Sequence, residues 1–376
     1  MISARTDEGN LAGEVVSKQV VPTLNLEPRV VRNSGELGWL ESGWEQLASR
    51  SGRPMDSFRW AKACTEMSSN VKLHTVVIGG ARPTAIAPLM KGCGRGAPLE
   101  FLGVNEHFEP MDFLYDCPGS LDQLTDAIAK LGRPLVLKRI LADSLAVPAL
   151  KRSFRGRAIM LCRPVSGTPC IPLDDSWANP DQQLGSSRAA RLRRARSQAD
   201  KMGQVRFDVQ SPCISELDEL LEEAFRVEAA CWKGRAGTAL IQDRMRGDFY
   251  RSFAASACER GMLRMCFMRI DSRAVAMQIA AESGDRFWLL KIGYDDKFAR
   301  CSPGMLLMRE TVRYAALRGL KCYEFLGTEE PWTKMWTQQA RPCISVRIYP
   351  ATPSGMVAFV MDFGRLARSR TARLRK

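Results

Sequence analysis

Residues 302–304 (Ser-Pro-Gly) stand directly before a segment with helical periodicity, and their types suit phosphate binding. The first N–H groups of a helix lack partners within it and carry partial positive charge. Gly304 lets a ligand approach the backbone closely, and Pro303 is tolerated where its missing N–H is not needed. The predicted phosphate site comprises Lys297, Arg300, Ser302, Pro303, Gly304 and Met305. The fragment alone equally fits a plain helix start with Ser302 as N-cap.

The cysteines and histidines argue against two common kinds of active site. The chain has 12 cysteines without a Cys-x-x-Cys pair, and its two histidines, His74 and His107, lie far apart. Structural zinc usually needs closely spaced ligand pairs, and a Ser-His-Asp or Cys-His hydrolase needs a histidine with a nucleophile motif. We therefore expect no metal, and we interpret most cysteines as small buried hydrophobic residues in a reducing cytosol.

Composition and charge bound the class of protein. The 376 residues suffice for two domains, and 45% of them are hydrophobic, which is typical of a soluble globular chain. Without a membrane-length apolar run or a secretory signal, the sequence predicts a cytoplasmic protein. The net charge of +14 attracts nucleic acid, anionic lipid or phosphorylated ligands, and charge alone does not choose among them.

The predicted elements occur twice in the same order. In each half, two helices precede a β-hairpin, a further strand, a Pro-Gly turn, a helix and a last strand. Hairpins between helices predict an α/β fold with a mixed sheet, in two similar domains. The predicted divisions are a flexible lead-in at 1–25, domains at 26–168 and 169–350 joined by a linker near residue 170, and a basic tail at 351–376.

Four motifs carry a resemblance to the GNAT acyltransferase superfamily, and more narrowly to the CelD group of cellulose-biosynthesis proteins. They are "SSRAARLRRARSQADKMG" (186–203), "CWKGRAGTAL" (231–240), "GYDDKFARCSPGMLL" (293–307) and "YEFLGTEEPWTKMW" (323–336). The doubled arrangement is similar to the FemABX transferases, which attach amino acids to peptidoglycan precursors. The resemblance implies two tandem GNAT-like domains and an acyl-CoA co-substrate, with acetyl-CoA expected.

The predicted CoA loop departs from the usual superfamily pattern. That pattern has Gln or Arg three residues before its first glycine, whereas Arg300 precedes Gly304 by four, and Met305 follows where small residues are usual. The corresponding loop of the first half carries Asp116, whose charge repels phosphate. We therefore expect only the second half to bind CoA.

Acyl transfer to an amine or hydroxyl needs a base for the acceptor and a polarised thioester carbonyl. Backbone N–H groups at the edge of the strand "LLKIGYD" (289–295) could polarise the carbonyl. Glu324, on the last strand, is the first candidate base and Asp295 the second. Both carboxylates also fit solvated or ion-paired roles.

Several residues could bind the acceptor. The resemblance to FemABX places Lys334 near a substrate phosphate or the reacting carbonyl, although it also fits a surface lysine. Trp232 and Lys233 end a predicted helix, where the tryptophan could stack on a sugar or close the core. Arg193 and Arg194 point away from the apolar stripe of their helix, either into solvent or towards an anionic acceptor.

The acceptor that the resemblance implies is a small molecule or a glycan- or lipid-linked precursor of a polysaccharide or of the cell envelope. The C-terminal segment joins a short apolar run to a cationic tail, which suits peripheral contact with an anionic membrane or, alternatively, a disordered tail. A FemABX-like aminoacyl transferase fed by aminoacyl-tRNA is the first alternative function. A non-catalytic nucleic-acid-binding protein is the second, and it is disfavoured because the arginine clusters contain no aromatic residues.

Overall fold

Helices and strands follow the predicted order in both halves of the chain. The computed structural model describes residues 27–67, 71–80, 82–92, 94 and 96–374, with the backbone alone for 365–374. The lead-in predicted at 1–25 lies outside these residues. The first half comprises β1 (Arg29–Val31), α1 (Glu41–Ala48), α2 (Phe58–Glu66), β2 (Thr75–Ile78), β3 (Ala85–Ala87), β4 (Leu89–Lys91), β5 (Leu99–Phe101), α3 (Val104–His107), β6 (Leu114–Tyr115), α4 (Pro118–Lys130), β7 (Leu135–Leu141), α5 (Ala146–Ser153) and β8 (Ala158–Pro172). The second comprises α6 (Pro180–Gln183), α7 (Ser186–Asp200), β9 (Val205–Gln210), α8 (Ile214–Ala229), α9 (Trp232–Arg235), α10 (Arg244–Glu259), β10 (Leu263–Ile270), β11 (Arg273–Ser283), β12 (Arg286–Tyr294), α11 (Pro303–Leu317), β13 (Cys322–Glu324), β14 (Ala340–Pro350) and α12 (Pro353–Leu374).

Local sequence signals set several of these boundaries. Ser57 caps α2 by accepting a hydrogen bond from the Trp60 N–H, because a serine hydroxyl satisfies a donor that the helix leaves free. The hairpin of β10 and β11 turns at Asp271, which adopts the left-handed conformation (φ 53°) that aspartate tolerates.

The strands form two sheets, and the larger one is mixed as predicted. Four strands pair in the order β1-β2-β3-β6, and ten in the order β4-β5-β7-β14-β8-β13-β12-β11-β10-β9. Within the larger sheet, β5 pairs with β7 and β12 with β13 in parallel, while the other pairs are antiparallel. The α/β fold with a mixed sheet is thus confirmed.

The two halves share strands, where the sequence predicted a linker. Residues 158–172 form the continuous strand β8, so the division predicted between residues 168 and 169 falls inside it. β14, near the end of the chain, returns to pair with β7 of the first half as well as with β8. The prolines and glycine near residue 170 suggested a loop, but β8 tolerates them because its first part has β14 on one side only.

Buried contacts also join the halves. Trp60 of α2 packs edge-on against Phe249 and Phe253 of α10, with ring centroids 4.8 and 5.2 Å apart.

Eight of the described cysteines are buried, and all those described are free thiols. In the described part of the chain, no helix combines the length and apolar character that a membrane span needs.

Arg139 is a fully buried cation where the two halves meet. Replacing it tests how much its contacts between the halves stabilise the fold. Its guanidinium donates to the carbonyls of Phe108 and Gly327, each at 2.6 Å. Arg139→Leu leaves these partly buried acceptors without a donor, so we expect the free energy of unfolding to fall by about 2–4 kcal/mol. Urea denaturation measures this loss, with the exposed Arg155→Leu as control. Equal midpoints for both variants would contradict the assigned role.

Candidate active site in the second half

The first residues of α11 open onto a cleft of about 580 Å³. Ser302 has a left-handed backbone (φ 46°), and its side chain makes no capping hydrogen bond. It therefore does not cap α11 in the way that the alternative interpretation of the sequence expected. Four residues of the predicted phosphate site line this cleft: Ser302, Pro303, Gly304 and Met305. The start of the helix is therefore accessible to a ligand.

The cleft continues from α11 to a gap between two strands. β12 pairs with β13 only over Arg286–Trp288, although its pairing with β11 extends to Tyr294. Leu290 has no partner on β11, since Leu289 pairs with Ala280 and Lys291 with Ile279. It therefore forms a β-bulge just beyond the point where β12 separates from β13. The end of β12, at Ile292 and Tyr294, lines the cleft. An unpaired strand edge offers backbone hydrogen bonds to an extended ligand that contains amides.

Side chains hold the separated part of β12 in place. The Tyr250 hydroxyl donates to the Leu290 carbonyl at 3.0 Å, and the Lys233 Nζ donates to the Ile292 carbonyl at 2.8 Å. Both carbonyls belong to the segment beyond the pairing with β13. These two carbonyls are therefore already occupied, so a ligand that pairs with this edge would bind its N–H groups.

A buried carboxylate anchors Lys233. Glu228 is inaccessible to solvent, and its Oε1 lies 3.3 Å from Lys233 Nζ and 3.1 Å from Lys291 Nζ. Its Oε2 accepts the Leu240 N–H at 2.8 Å. Burial lowers the pKa of Lys291, which the carboxylate partly counteracts. Lys233 thus lines the cleft as predicted, but its ammonium group is already bound to protein acceptors.

Arg191 supplies the cation beside the helix start. It lines the cleft, is exposed, and makes no ion pair with any residue that the structure describes. Its helix, α7, packs against the turn that precedes α11. Lys297 and Arg300, which the sequence predicted for this role, are exposed and lie outside the cleft lining.

Comparison with known proteins identifies the fold to which this cleft belongs. Residues 186–334 match the family model of the acetyltransferase (GNAT) domain. The chain also resembles the C-terminal domain (DUF2156) of a proposed lysylphosphatidylglycerol synthetase from Agrobacterium fabrum, with a TM-score of 0.57, 12% identity and coverage of 89% of this chain and 97% of the other. The protein has a tandem GNAT-like fold.

Other structures share the fold over most of their length. FemX superposes with a TM-score of 0.54 at 11% identity, covering 86% of this chain and 97% of that one. L-PGS from Bacillus licheniformis gives 0.53 at 11% identity, covering 81% and 90%. A comparison with curated protein sequences gives no significant match.

Glu324, the first predicted base, lies away from the cleft of the GNAT-like second half. It is only 1% exposed, and its Oε1 contacts Arg286 at 2.6 Å and Arg341 at 2.9 Å. Carboxylate and thiol atoms of Glu324, Cys170 and Cys322 lie within 4.8 Å of one another, but the two guanidinium groups disfavour a metal cation there. Glu324 is therefore placed to hold strands together, because both of its arginine partners come from other strands of the sheet.

Asp295, the second predicted base, has a local structural role. It is 3% exposed, accepts the Lys297 N–H at 3.0 Å and pairs with Arg273 at 2.6 Å. Asp295 therefore caps the short turn before α11, as an aspartate at the start of a helical turn commonly does.

The predicted acceptor residues separate into two groups. Trp232 lines the cleft and is 57% exposed, as a stacking platform requires. Arg193, Arg194 and Lys334 are exposed and lie outside the lining, while Glu330 and Trp332, from the same loop as Lys334, contribute to it.

Glu109 is a candidate that the sequence did not reveal, and it comes from the first half. Its Oε2 accepts the Gly327 N–H at 3.2 Å, just beyond β13. Burial raises the pKa of the Tyr250 hydroxyl, which binds β12, and Glu109 is close enough for its charge to raise that pKa further. Burial raises the pKa of Glu109 to about 7, although Arg139 and the Gly327 N–H act in the opposite direction. This carboxylate is therefore close both to the segment that follows β13 and to the tyrosine that binds β12, although it is not among the residues that line the cleft.

Proposed function

We propose that the protein is an acyltransferase that moves an acyl group from acyl-CoA to an amine or hydroxyl. One observation supports this most: the accessible start of α11 and the unpaired edge of β12 open into the same cleft. A phosphate site and an adjoining strand edge are complementary to the two ends of a CoA thioester, its diphosphate and its amide-containing arm.

The residues present fit this co-substrate. The backbone N–H groups at residues 302–305 and the guanidinium of Arg191 would hold the diphosphate, because its negative charge is opposite to theirs. Acyl-CoA supplies an activated thioester carbonyl. The N–H groups of the bulged end of β12 would polarise that carbonyl, since they are fixed in place before reaction.

Glu109 is the base in this proposal, in place of Glu324 and Asp295. A carboxylate that titrates near neutral pH can accept a proton from an attacking amine or hydroxyl. The acceptor oxygen or nitrogen forms a bond to the acyl carbon, the carbon–sulfur bond breaks, and the CoA thiol leaves.

The acceptor that we propose is a polysaccharide or cell-envelope precursor, on the resemblance to the CelD group. Trp232 would stack on a sugar at the mouth of the cleft. An aminoacyl-tRNA donor is the second candidate, because FemX shares the fold and α7 presents the exposed Arg193 and Arg194 beside Arg191.

A thermal-shift screen separates these donors. We expect acetyl-CoA or a longer acyl-CoA to raise Tm, because binding to the folded state alone stabilises it by mass action. tRNA and duplex DNA are tested alongside at the same salt concentration. Stabilisation by tRNA alone would replace the proposal with aminoacyl transfer, and stabilisation by duplex DNA alone would contradict both.

A further inference from the structure

The C-terminal helix α12 presents an apolar face to solvent. Five large apolar side chains of one helix are exposed by 43–66%: Met356, Val357, Val360, Met361 and Phe363. They recur at helical spacing, so they share one side of α12. Contiguous exposed apolar surface on a helix is unusual and marks an interaction site.

The opposite face of α12 fixes the helix to the protein. Asp362 bonds to Arg347 and to the Tyr349 hydroxyl of β14, and Tyr349 also packs edge-on against Phe359 at 5.3 Å. Thr352, just before the helix, donates to the Gly132 carbonyl at 2.8 Å. The apolar face therefore points outward because the other face is already bound.

Cations flank this apolar face along the chain and in space. Beyond Phe363 the sequence carries six cationic residues, Arg365, Arg368, Arg370, Arg373, Arg375 and Lys376. At the other end, the Ala351 N–H donates to the Arg157 carbonyl at 2.8 Å, which places an exposed basic segment next to the start of α12. That segment includes Lys151, Arg155 and Arg157.

We propose that α12 docks the protein on an anionic lipid bilayer, with its apolar face among the acyl chains and its flanking cations at the lipid phosphates. A helix that is apolar on its free side and rich in arginine along its C-terminal sequence matches the interface of a bilayer in both polarity and charge. A groove of about 930 Å³ runs between α12 and the sheet, where Val136, Leu161 and Phe363 supply apolar lining continuous with the exposed face.

Flotation with lipid vesicles tests this docking. The full-length protein is mixed with vesicles of phosphatidylcholine alone or of an equimolar mixture with phosphatidylglycerol. We expect binding to the anionic vesicles only, weakening as salt is raised. Val360→Glu is expected to reduce the bound fraction at least about ten-fold, because it places a charge in the inserted face.

Leu317→Glu is the matched control, since Leu317 is an isolated apolar residue at the end of α11 with 60% exposure. It should bind vesicles like the wild type, and circular dichroism checks that both variants fold. Absence of wild-type binding, or an equal loss in both variants, would overturn the proposal. So would a dimer in solution that Val360→Glu dissociates without any vesicle binding, because a second copy would then cover α12.

Discussion

Gly304→Glu is expected to abolish binding of acyl-CoA while leaving the fold intact. A Cβ at this position would lie 3.6 Å from Tyr294 Cδ1, an ordinary contact, and the glycine has no positive φ that a side chain would strain. The glutamate would therefore be accommodated, with its carboxylate at the start of α11 where the diphosphate is proposed to bind. Charge repulsion, together with obstruction of the N–H groups by the new side chain, should weaken binding at least about 100-fold. Isothermal titration calorimetry with acetyl-CoA measures the change.

Gly304→Gln is the control for side-chain volume. It fills the same space without the charge, so its affinity should fall between those of the wild type and the glutamate variant. Unchanged affinity in Gly304→Glu would place CoA elsewhere. A lower Tm for both variants without ligand would show that the glycine is needed for folding.

Features with local causes were predictable from the sequence. The hairpin turn at Asp271 and the proline in the first turn of α11 depend on neighbouring residues alone, and both are present. Ser302, Gly304 and Trp232 were assigned to a site because small residues before a helix and an aromatic residue after one are local patterns, and the structure places all three at one cleft.

The ion pairs and the position of the proposed base, Glu109, depend on tertiary contacts that no local pattern encodes. Glu324 was the first candidate base because it lies on the last predicted strand, which was expected beside the loop. Arg341 reaches it from β14, a strand whose return to the first half has no local signal. Arg191 was one arginine among several on a basic helix until the packing of α7 placed it at the cleft.

Sharing of strands between the halves explains how Glu109, a first-half residue, contacts Gly327 of the second half. β14 and Arg139 fix the junction, and Glu109 follows a short helix that packs there. In the first half itself, β6 pairs only with β3, and Asp116 precedes α4. The prediction that this half does not bind CoA stays untested, but its contribution of Glu109 gives it a role in the proposed reaction.

Glu109→Gln is expected to lower the rate of acyl transfer by about 10²–10⁴-fold without changing the affinity for acyl-CoA. The proposed base must be ionised, and its pKa is raised to about 7 by burial, so the wild-type rate should rise with pH through that value. The glutamine keeps an acceptor for the Gly327 N–H but does not titrate, so the variant should lose this pH dependence. kcat/KM measured from pH 5 to 9 (roughly the range in which such a base titrates) reports both effects.

Asp112→Asn separates catalysis from a general effect of removing a buried carboxylate. Burial raises the pKa of Asp112 to about 6, and its hydrogen-bonding and ion partners, Arg53, Ser144 and the Phe113 N–H, all belong to the first half. This variant should retain the inflection near pH 7.

The stability of Glu109→Gln is a second check. The raised pKa of Glu109 stabilises the fold at low pH, and that contribution is lost as pH rises through about 7, so Glu109→Gln should be no less stable than the wild type at higher pH. A fall in Tm that accounts for the lost rate, or a pH profile unchanged by Glu109→Gln, would exclude Glu109 as the base.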